Sequence, residues 1–184
     1  MAANIHHSSF SVEWYTPKWL VDRCRSVLGG IDCDPCSCED AQKIVGANNW
    51  FDEKLDGLSQ SWYGNIFMNP PGGWATPEVA DKWGSRSNAQ CWYAKLLYEM
   101  NSGNALNAIV LCFNLDTLRA LQPKAPICIL KSRCKFDKIE NDKRVSGGSP
   151  AHGTGLILLS DSVKMQKEWV EWMSPYGMCY KASG

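Results

Sequence analysis

The sequence predicts an α/β domain with a mainly parallel sheet, on three observations. Short apolar runs that read as strands alternate with segments whose apolar residues recur at helical spacing. Ala108–Phe113 is almost continuously apolar, as expected of a strand buried on both faces. Asn69-Pro70-Pro71 directly follows the strand-like Asn65-Ile66-Phe67-Met68, at the carboxyl end where open α/β sheets hold their sites.

Residues 1–12 are polar and expected to be loose. Thr16-Pro17 reads as a helix start, Thr16 as N-cap and Pro17 in the first helical position. Leu20, Val21, Cys24, Val27 and Leu28 form the apolar face of that helix, and Gly29-Gly30 stops it. Ile31-Asp32-Cys33 is expected as a short strand running into Asp34-Pro35-Cys36-Ser37. From Glu39 to Gln60 the chain reads as compressed and irregular, with an apolar piece at Lys43–Ala47. After the strand Asn65–Met68, residues 72–90 are rich in Gly, Ser and Asn and read as a surface loop.

Gln90–Met100 reads as a helix with Trp92, Tyr93, Leu96, Leu97 and Met100 on its apolar face. Ala108–Phe113 is the central strand, and Leu115–Leu121 a short helix ended by Pro123. Ile127–Leu130 is expected as a strand, Arg133–Asp137 as another, and Leu156–Leu159 as the last. Residues 138–150 are expected as a loop. A C-terminal helix over 163–173 puts Met165, Trp169 and Trp172 on one face.

The length of 184 residues fits one domain with a real core, 1–184. Lys+Arg and Asp+Glu both total 19, so a nucleic-acid partner requires a local basic patch rather than a global field. Nine cysteines are an odd number, and no charged-then-apolar leader precedes them, so they read as reduced thiols in the cytoplasm. Cys33, Cys36 and Cys38, with Cys24 upstream, lack the second ligand pair of a zinc site, so no metal is expected. No apolar stretch is long enough for a membrane span.

Two prolines fix the backbone at positions 70 and 71 and remove both N–H groups. The corner therefore offers acceptors without competing local donors, and Asn69 adds an amide. Such a corner holds an exocyclic amino group while its nitrogen is alkylated. A nicotinamide cofactor is disfavoured, because no Gly-x-Gly-x-x-Gly follows a strand.

Four segments, in order, carry a resemblance: Glu13-Trp14-Tyr15-Thr16-Pro17, Asp34-Pro35-Cys36-Ser37, Asp56-Gly57-Leu58 and Asn69-Pro70-Pro71. With Arg133-x-x-Phe136 and Ser149-Pro150-Ala151-His152 downstream, the chain resembles the phage-type DNA N6-adenine methyltransferases. The resemblance implies the class I methyltransferase fold, a Rossmann-like doubly wound, mostly parallel sheet with an antiparallel last strand. It implies S-adenosylmethionine as cofactor and adenine in DNA as the target, flipped out or single-stranded. By the same resemblance Trp14, Tyr15, Thr16 and Pro17 close over the cofactor. Asp34, with Pro35, Cys36 and Ser37, meets its methionine ammonium, and Asp56 meets its adenine amine. Asn69, Pro70 and Pro71 are the catalytic residues.

One position departs from the family pattern. The residue after Asn-Pro-Pro is usually an aromatic that stacks on the flipped base, and here it is Gly72, followed by Gly73 and Trp74. Either Trp74 or an aromatic from elsewhere then serves, or the base-binding half is lost. The resemblance places no acid for the cofactor ribose, for which Asp52 and Glu53 are the candidates. Arg86, Arg133, Phe136 and His152 are the further target-side candidates. Lys131, Arg133, Lys135, Lys138, Lys143 and Arg144 form the densest basic stretch, open to either phosphate binding or simple solvation. Other readings remain: methylation of another amino group, such as a protein glutamine or RNA; an inactive binding module of the same fold; or a zinc module built on the cysteines.

Overall fold

The computed structural model describes residues 14–113, 118–119, 125–141, 143–149 and 153–181. The expected loose stretch 1–12, Glu13, residues 115–121 apart from Leu118 and Arg119, and Pro150, Ala151 and His152 lie outside them.

The chain builds a mixed α/β structure around a mostly parallel seven-stranded sheet. Helix α1 (Lys18–Leu28) ends at Gly29, whose left-handed φ of 73° closes it. Strand β1 (Cys33–Asp34) leads to helix α2 (Glu39–Val45) and strand β2 (Asn49–Trp50). A 3-10 turn at Gly57–Ser59 precedes β3 (Gly64–Met68). Helices α3 (Pro77–Trp83) and α4 (Asn88–Asn101) then bring the chain to β4 (Ala105–Cys112). Strand β5 (Ile127–Leu130), the hairpin β6 (Asp137–Glu140) and β7 (Lys143–Ser146), β8 (Gly155–Leu159), α5 (Val163–Met173) and β9 (Gly177–Tyr180) complete it.

The sheet order is β2-β1-β3-β4-β8-β5-β9. Strands β1 to β4 pair in parallel, whereas β8 is antiparallel to both neighbours and β9 is antiparallel to β5. Alternate side chains go to opposite faces. Phe67, Ile109, Leu111, Leu156 and Leu158 meet α1 and α5 through Leu20, Cys24, Trp169 and Met173. Ile66, Met68, Ala108, Val110 and Ile157 meet α4 through Trp92, Tyr93 and Leu96. The result is helices on both faces of one sheet.

Several sequence expectations are corrected. Thr16 does not cap α1: the N-cap is Pro17, with no side-chain bond, and the Pro17 carbonyl accepts from Leu20 and Val21. The irregular stretch Glu39–Gln60 holds α2, where Glu39 and Asp40 suit the positive helix start and Gly46 takes the left-handed cap. The expected loop 72–90 contains α3, capped by Thr76 with Pro77 behind it. The expected strand Arg133–Asp137 is irregular up to Phe136, and the expected loop 138–150 is largely the hairpin β6–β7. Leu97 is exposed, while Cys91 and the Lys95–Glu99 ion pair are buried on α4. Leu156–Leu159 is antiparallel as expected but is not the last strand, because β9 adds an edge beyond β5. Trp172 is partly exposed beneath the Arg23 guanidinium, 4.8 Å from its ring centre.

Candidate functional site

The strand order reverses between β1 and β3: the chain steps outward to β2, then returns to the other side of β1. Loops leaving the carboxyl ends of such neighbours diverge and leave a crevice. Here that crevice is a cavity of about 790 Å³. It gathers Trp14, Tyr15 and Thr16, the loop Asp34-Pro35-Cys36-Ser37, Asp56, and Asn69-Pro70-Pro71. Pro17 is the one proposed cofactor residue outside its walls; it is buried at the start of α1.

Asp34 ends β1 and is 2% exposed. Gln42 on α2 donates to its Oδ2 at 2.8 Å and to the Ser37 hydroxyl at 2.7 Å, while its own oxygen accepts from the Ala47 N–H. Asp34 Oδ1 is buried with no hydrogen-bond partner among the described residues. Burial pushes the carboxyl up to about 7 from its ordinary 3.8, although nearby donors on Ser37, the Cys36 main chain and Gln42 pull the other way.

Asn69 ends β3. Its Nδ2 donates to the Trp14 carbonyl and to Thr16 Oγ1, both at 3.2 Å. A carbonyl can only accept, so this pair fixes which end of the amide is NH2. The Asn69 Oδ1 is thereby turned away from Trp14 and Thr16, buried and without a donor among the described residues. Thr16 is thus used in holding Asn69 rather than in capping α1.

The segment bearing Tyr15 is itself clamped. Tyr15 and Asp137 exchange main-chain bonds of 3.0 and 2.9 Å, and Arg144 lies over the Tyr15 ring at 5.1 Å. Arg144 also donates to the Asp40 carbonyl at 2.5 Å and pairs with Asp137 at 3.4 Å, so it serves this clamp and is not a free phosphate contact. Trp14 packs edge-on against Phe136, and a Cβ added at Gly148 would stand 3.5 Å from its ring.

Opposite these walls, Gly57 lies against the Pro35 carbonyl, so closely that an added Cβ would stand 1.9 Å from that oxygen. The Gly57 carbonyl accepts from Trp62 Nε1 at 2.7 Å, and Trp62 stacks on Trp92. Asp56 takes a φ of 47° and is exposed at the rim. Asp52 and Glu53, past the end of β2, also line the cavity, and one Asp52 oxygen accepts the Lys54 and Leu55 N–H groups. Phe51, Trp92 and Phe113 add aromatic walls that sequence reasoning missed. Trp92 and Phe113 lie far in sequence from the motifs and are brought in by the sheet order, while Phe51 adjoins Asp52 at the end of β2. Gln42 was missed too, because α2 was read as irregular.

The target-side residues scatter. Trp74 is 80% exposed and lines a second, smaller cavity beside the first. Arg86 and Arg133 are exposed and lie outside both cavities. Phe136 is fully buried between Trp14 and Phe113, so it supports the wall and cannot face a nucleic acid. Lys138 pairs with Glu140.

Of the cysteine cluster, Cys33 is buried, while Cys36 and Cys38 line the cavity. Burial holds the Cys33 thiol up at about 12 and pushes Cys36 well above its ordinary value, the Asp34 charge adding to both. These are poor nucleophiles. Among the described residues no group of three or more His, Cys, Asp or Glu is arranged to hold a metal, and no helix is long and apolar enough to cross a membrane. Compared with known proteins, the chain is matched by no family model and by no curated relative.

Proposed function

We propose that this protein transfers a methyl group from S-adenosylmethionine to the exocyclic N6 of adenine in DNA. The observation that carries the reading is the Asn69 amide. Two acceptors grip its NH2, which leaves Oδ1, on a residue that lines the cavity, buried and unpartnered among the described residues. A buried acceptor without a donor is a standing free-energy cost, offset when an N–H arrives.

The cavity suits the cofactor. A second orphaned acceptor, Asp34 Oδ1, meets the need of an ammonium group, which also draws the raised carboxyl back to its charged form. Asp56 at the rim suits the adenine amine, and the remaining oxygen of Asp52, with Glu53, suits the ribose hydroxyls. Trp14, Phe51 and Trp92 offer apolar and π surfaces to a sulfonium. The volume falls in the range of small-molecule sites. The sheet, reversing between β1 and β3 and carrying an antiparallel β8 between β4 and β5, supports the class I methyltransferase arrangement.

When bound, S-adenosylmethionine supplies a methyl on a sulfonium that departs as a neutral thioether. The chain's own part is positioning. Asn69 Oδ1 and the Pro70 carbonyl accept the two N–H groups of the target amine, which aims the nitrogen lone pair into the larger cavity. The same acceptors stabilise the positive charge that grows on nitrogen, and solvent takes the proton afterwards. Pro70 and Pro71 present no N–H that would compete for these oxygens. No thiol takes part, in keeping with the raised values of Cys33 and Cys36.

The test is transfer of labelled methyl groups to single-stranded DNA, RNA and a glutamine-bearing peptide by wild type and by Asn69→Ala. DNA is expected to take the label, and the variant to lose about 100- to 1,000-fold in turnover, the effect of removing one preorganised polar group. Label on the peptide or RNA alone would move the target assignment. Cofactor binding with no transfer to any of the three would overturn it.

A further inference from the structure

All nine cysteine thiols are free, and two of them stand opposite each other at the outer edge of the sheet. Strand β9 is that edge, bonded only to β5, and Cys128 on β5 is in register with Cys179 on β9. Opposed residues on antiparallel strands alternate between pairs that exchange main-chain bonds and pairs that do not. The end of the ladder fixes the parity. The Lys131 N–H donates to the Tyr176 carbonyl at 2.9 Å, so the bonded pairs are Ile129 with Met178 and Ile127 with Tyr180. Cys128 with Cys179 is therefore a non-bonded pair. The opposite side of β5 agrees. There the Leu130 N–H donates to the Thr154 carbonyl at 3.0 Å and the Leu158 N–H to the Pro126 carbonyl at 2.9 Å. The even positions of β5, Cys128 among them, thus spend their main-chain groups on β8. Non-bonded pairs are the close ones, with Cα atoms about 4.5 Å apart and both side chains on one face. A disulfide needs Cα atoms about 4.4–6.8 Å apart, and this pair meets that need.

We propose that Cys128 and Cys179 form a modification site, a dithiol that a peroxide oxidises to a cross-strand disulfide fastening β9 to β5. Gly177, on the same face, makes room for the movement: a Cβ there would stand 2.5 Å from the Cys128 sulfur. Access sets the order of events. Cys128 is fully buried, whereas Cys179 is half-buried on the edge strand and is the thiol an oxidant in water can reach. Its thiolate attacks one peroxide oxygen, an S–O bond forms and the O–O bond breaks. The departing hydroxide takes up the proton the thiol had released and leaves as water. The Cys128 sulfur then attacks the sulfenic sulfur of Cys179, the S–S bond forms and the S–O bond breaks. The oxygen leaves with the Cys128 proton as a second water. Two thiols together lose two electrons, and one peroxide gains them. The thiol ionisations run the same way. Burial raises both, but a hydrogen bond from Cys128 lowers Cys179 and helps to raise Cys128, so Cys179 ionises first. Burial also makes the reaction slow, so the pair stays a dithiol until peroxide is in excess. The closed loop, 128–179, takes in the hairpin β6–β7, β8 and α5, so one bond ties the end of the chain to the sheet.

The experiment treats the full chain with excess hydrogen peroxide, blocks remaining thiols with N-ethylmaleimide, and maps the unreduced digest by mass spectrometry. Wild type is expected to yield one peptide pair joined through Cys128 and Cys179, which dithiothreitol separates. The oxidised protein should melt about 4–16 °C higher than the reduced protein, the effect of one disulfide in a chain of this size. Cys179→Ser should show neither the joined peptides nor the shift. Cys128→Ser should leave the Cys179 sulfenic acid unresolved, where dimedone captures it, a signature that a merely packed thiol would not give. The peptide map of wild type stands by itself should Cys128→Ser fail to fold. A joined peptide pairing Cys128 with Cys24 overturns the proposal, as does disulfide confined to Cys33, Cys36 and Cys38 while Cys128 and Cys179 remain thiols. Oxidation of Cys179 to its sulfinic acid with Cys128 still free overturns it too, and so does a joined pair that leaves the melting temperature unchanged or lower.

Discussion

Replacing Asp34 with asparagine is expected to strengthen the fold and weaken the site at once. The carboxyl is 2% exposed and raised to about 7 from 3.8, because burial favours its neutral form. A raised carboxyl value means that the folded chain binds the proton more tightly than the unfolded chain. The stability this proton lends is complete below about 3.8 and is lost as pH rises through about 7. The gap between those two values corresponds to about 4 kcal/mol. Asparagine removes the charge but leaves an NH2 where Oδ1 was, with no protein acceptor there, at a cost of about 1–3 kcal/mol. At pH 8 the balance favours Asp34→Asn by about 1–3 kcal/mol, or about 2–12 °C in melting temperature for a chain of this size. Near pH 4 the gain disappears or reverses. Cofactor affinity moves oppositely, falling about 10- to 150-fold at pH 8 with the loss of one charged hydrogen bond. Wild-type affinity should also rise with pH up to about 7, while the variant stays flat. Thermal unfolding at pH 4 and 8, with calorimetric titration of S-adenosylmethionine, reads all of this. A variant less stable than wild type at pH 8, or one with unchanged cofactor affinity, would refute the reasoning.

Two further substitutions probe how the corner is held. Thr16→Val removes one of the two acceptors on Asn69 Nδ2, so turnover should fall about 2- to 10-fold while KM for DNA changes little. Thr16→Ser should recover it, and equal rates in all three proteins would show that the Trp14 carbonyl alone fixes the amide. Gly57→Ala sets a Cβ 1.9 Å from the Pro35 carbonyl and 3.0 Å from Trp92, so the loop after β1 must move. The expected loss is about 1–3 kcal/mol of stability together with cofactor affinity. A wild-type melting curve would contradict that packing.

Much of the site was legible in the sequence because its parts are punctuated. Asn69-Pro70-Pro71 and Asp34-Pro35 are marked by prolines at strand ends, and they converge at the point where the strand order reverses. Other features left no local trace. Thr16-Pro17 and Thr76-Pro77 are the same dipeptide, yet only Thr76 caps its helix, since Thr16 is drawn to Asn69 by a contact 53 residues away. Helix α2 is a single short piece whose apolar face is Ile44 and Val45, too brief for periodicity to register. Arg144 reads as one more cation in a basic stretch, and its partners Tyr15 and Asp40 come from distant segments. Phe136 follows the same rule. Its motif spacing suggested the target side, but its burial is set by packing between Trp14 and Phe113.

The most direct test of the central claim locates the transferred atoms. Single-stranded DNA is incubated with wild type or Asn69→Ala and S-adenosylmethionine bearing a deuterated methyl, then digested to nucleosides and analysed by mass spectrometry. The expected result is deuterated N6-methyladenine from wild type and its loss in the variant. A deuterated methyl on cytosine, or none on any nucleoside while the protein demonstrably binds the cofactor, would contradict the account.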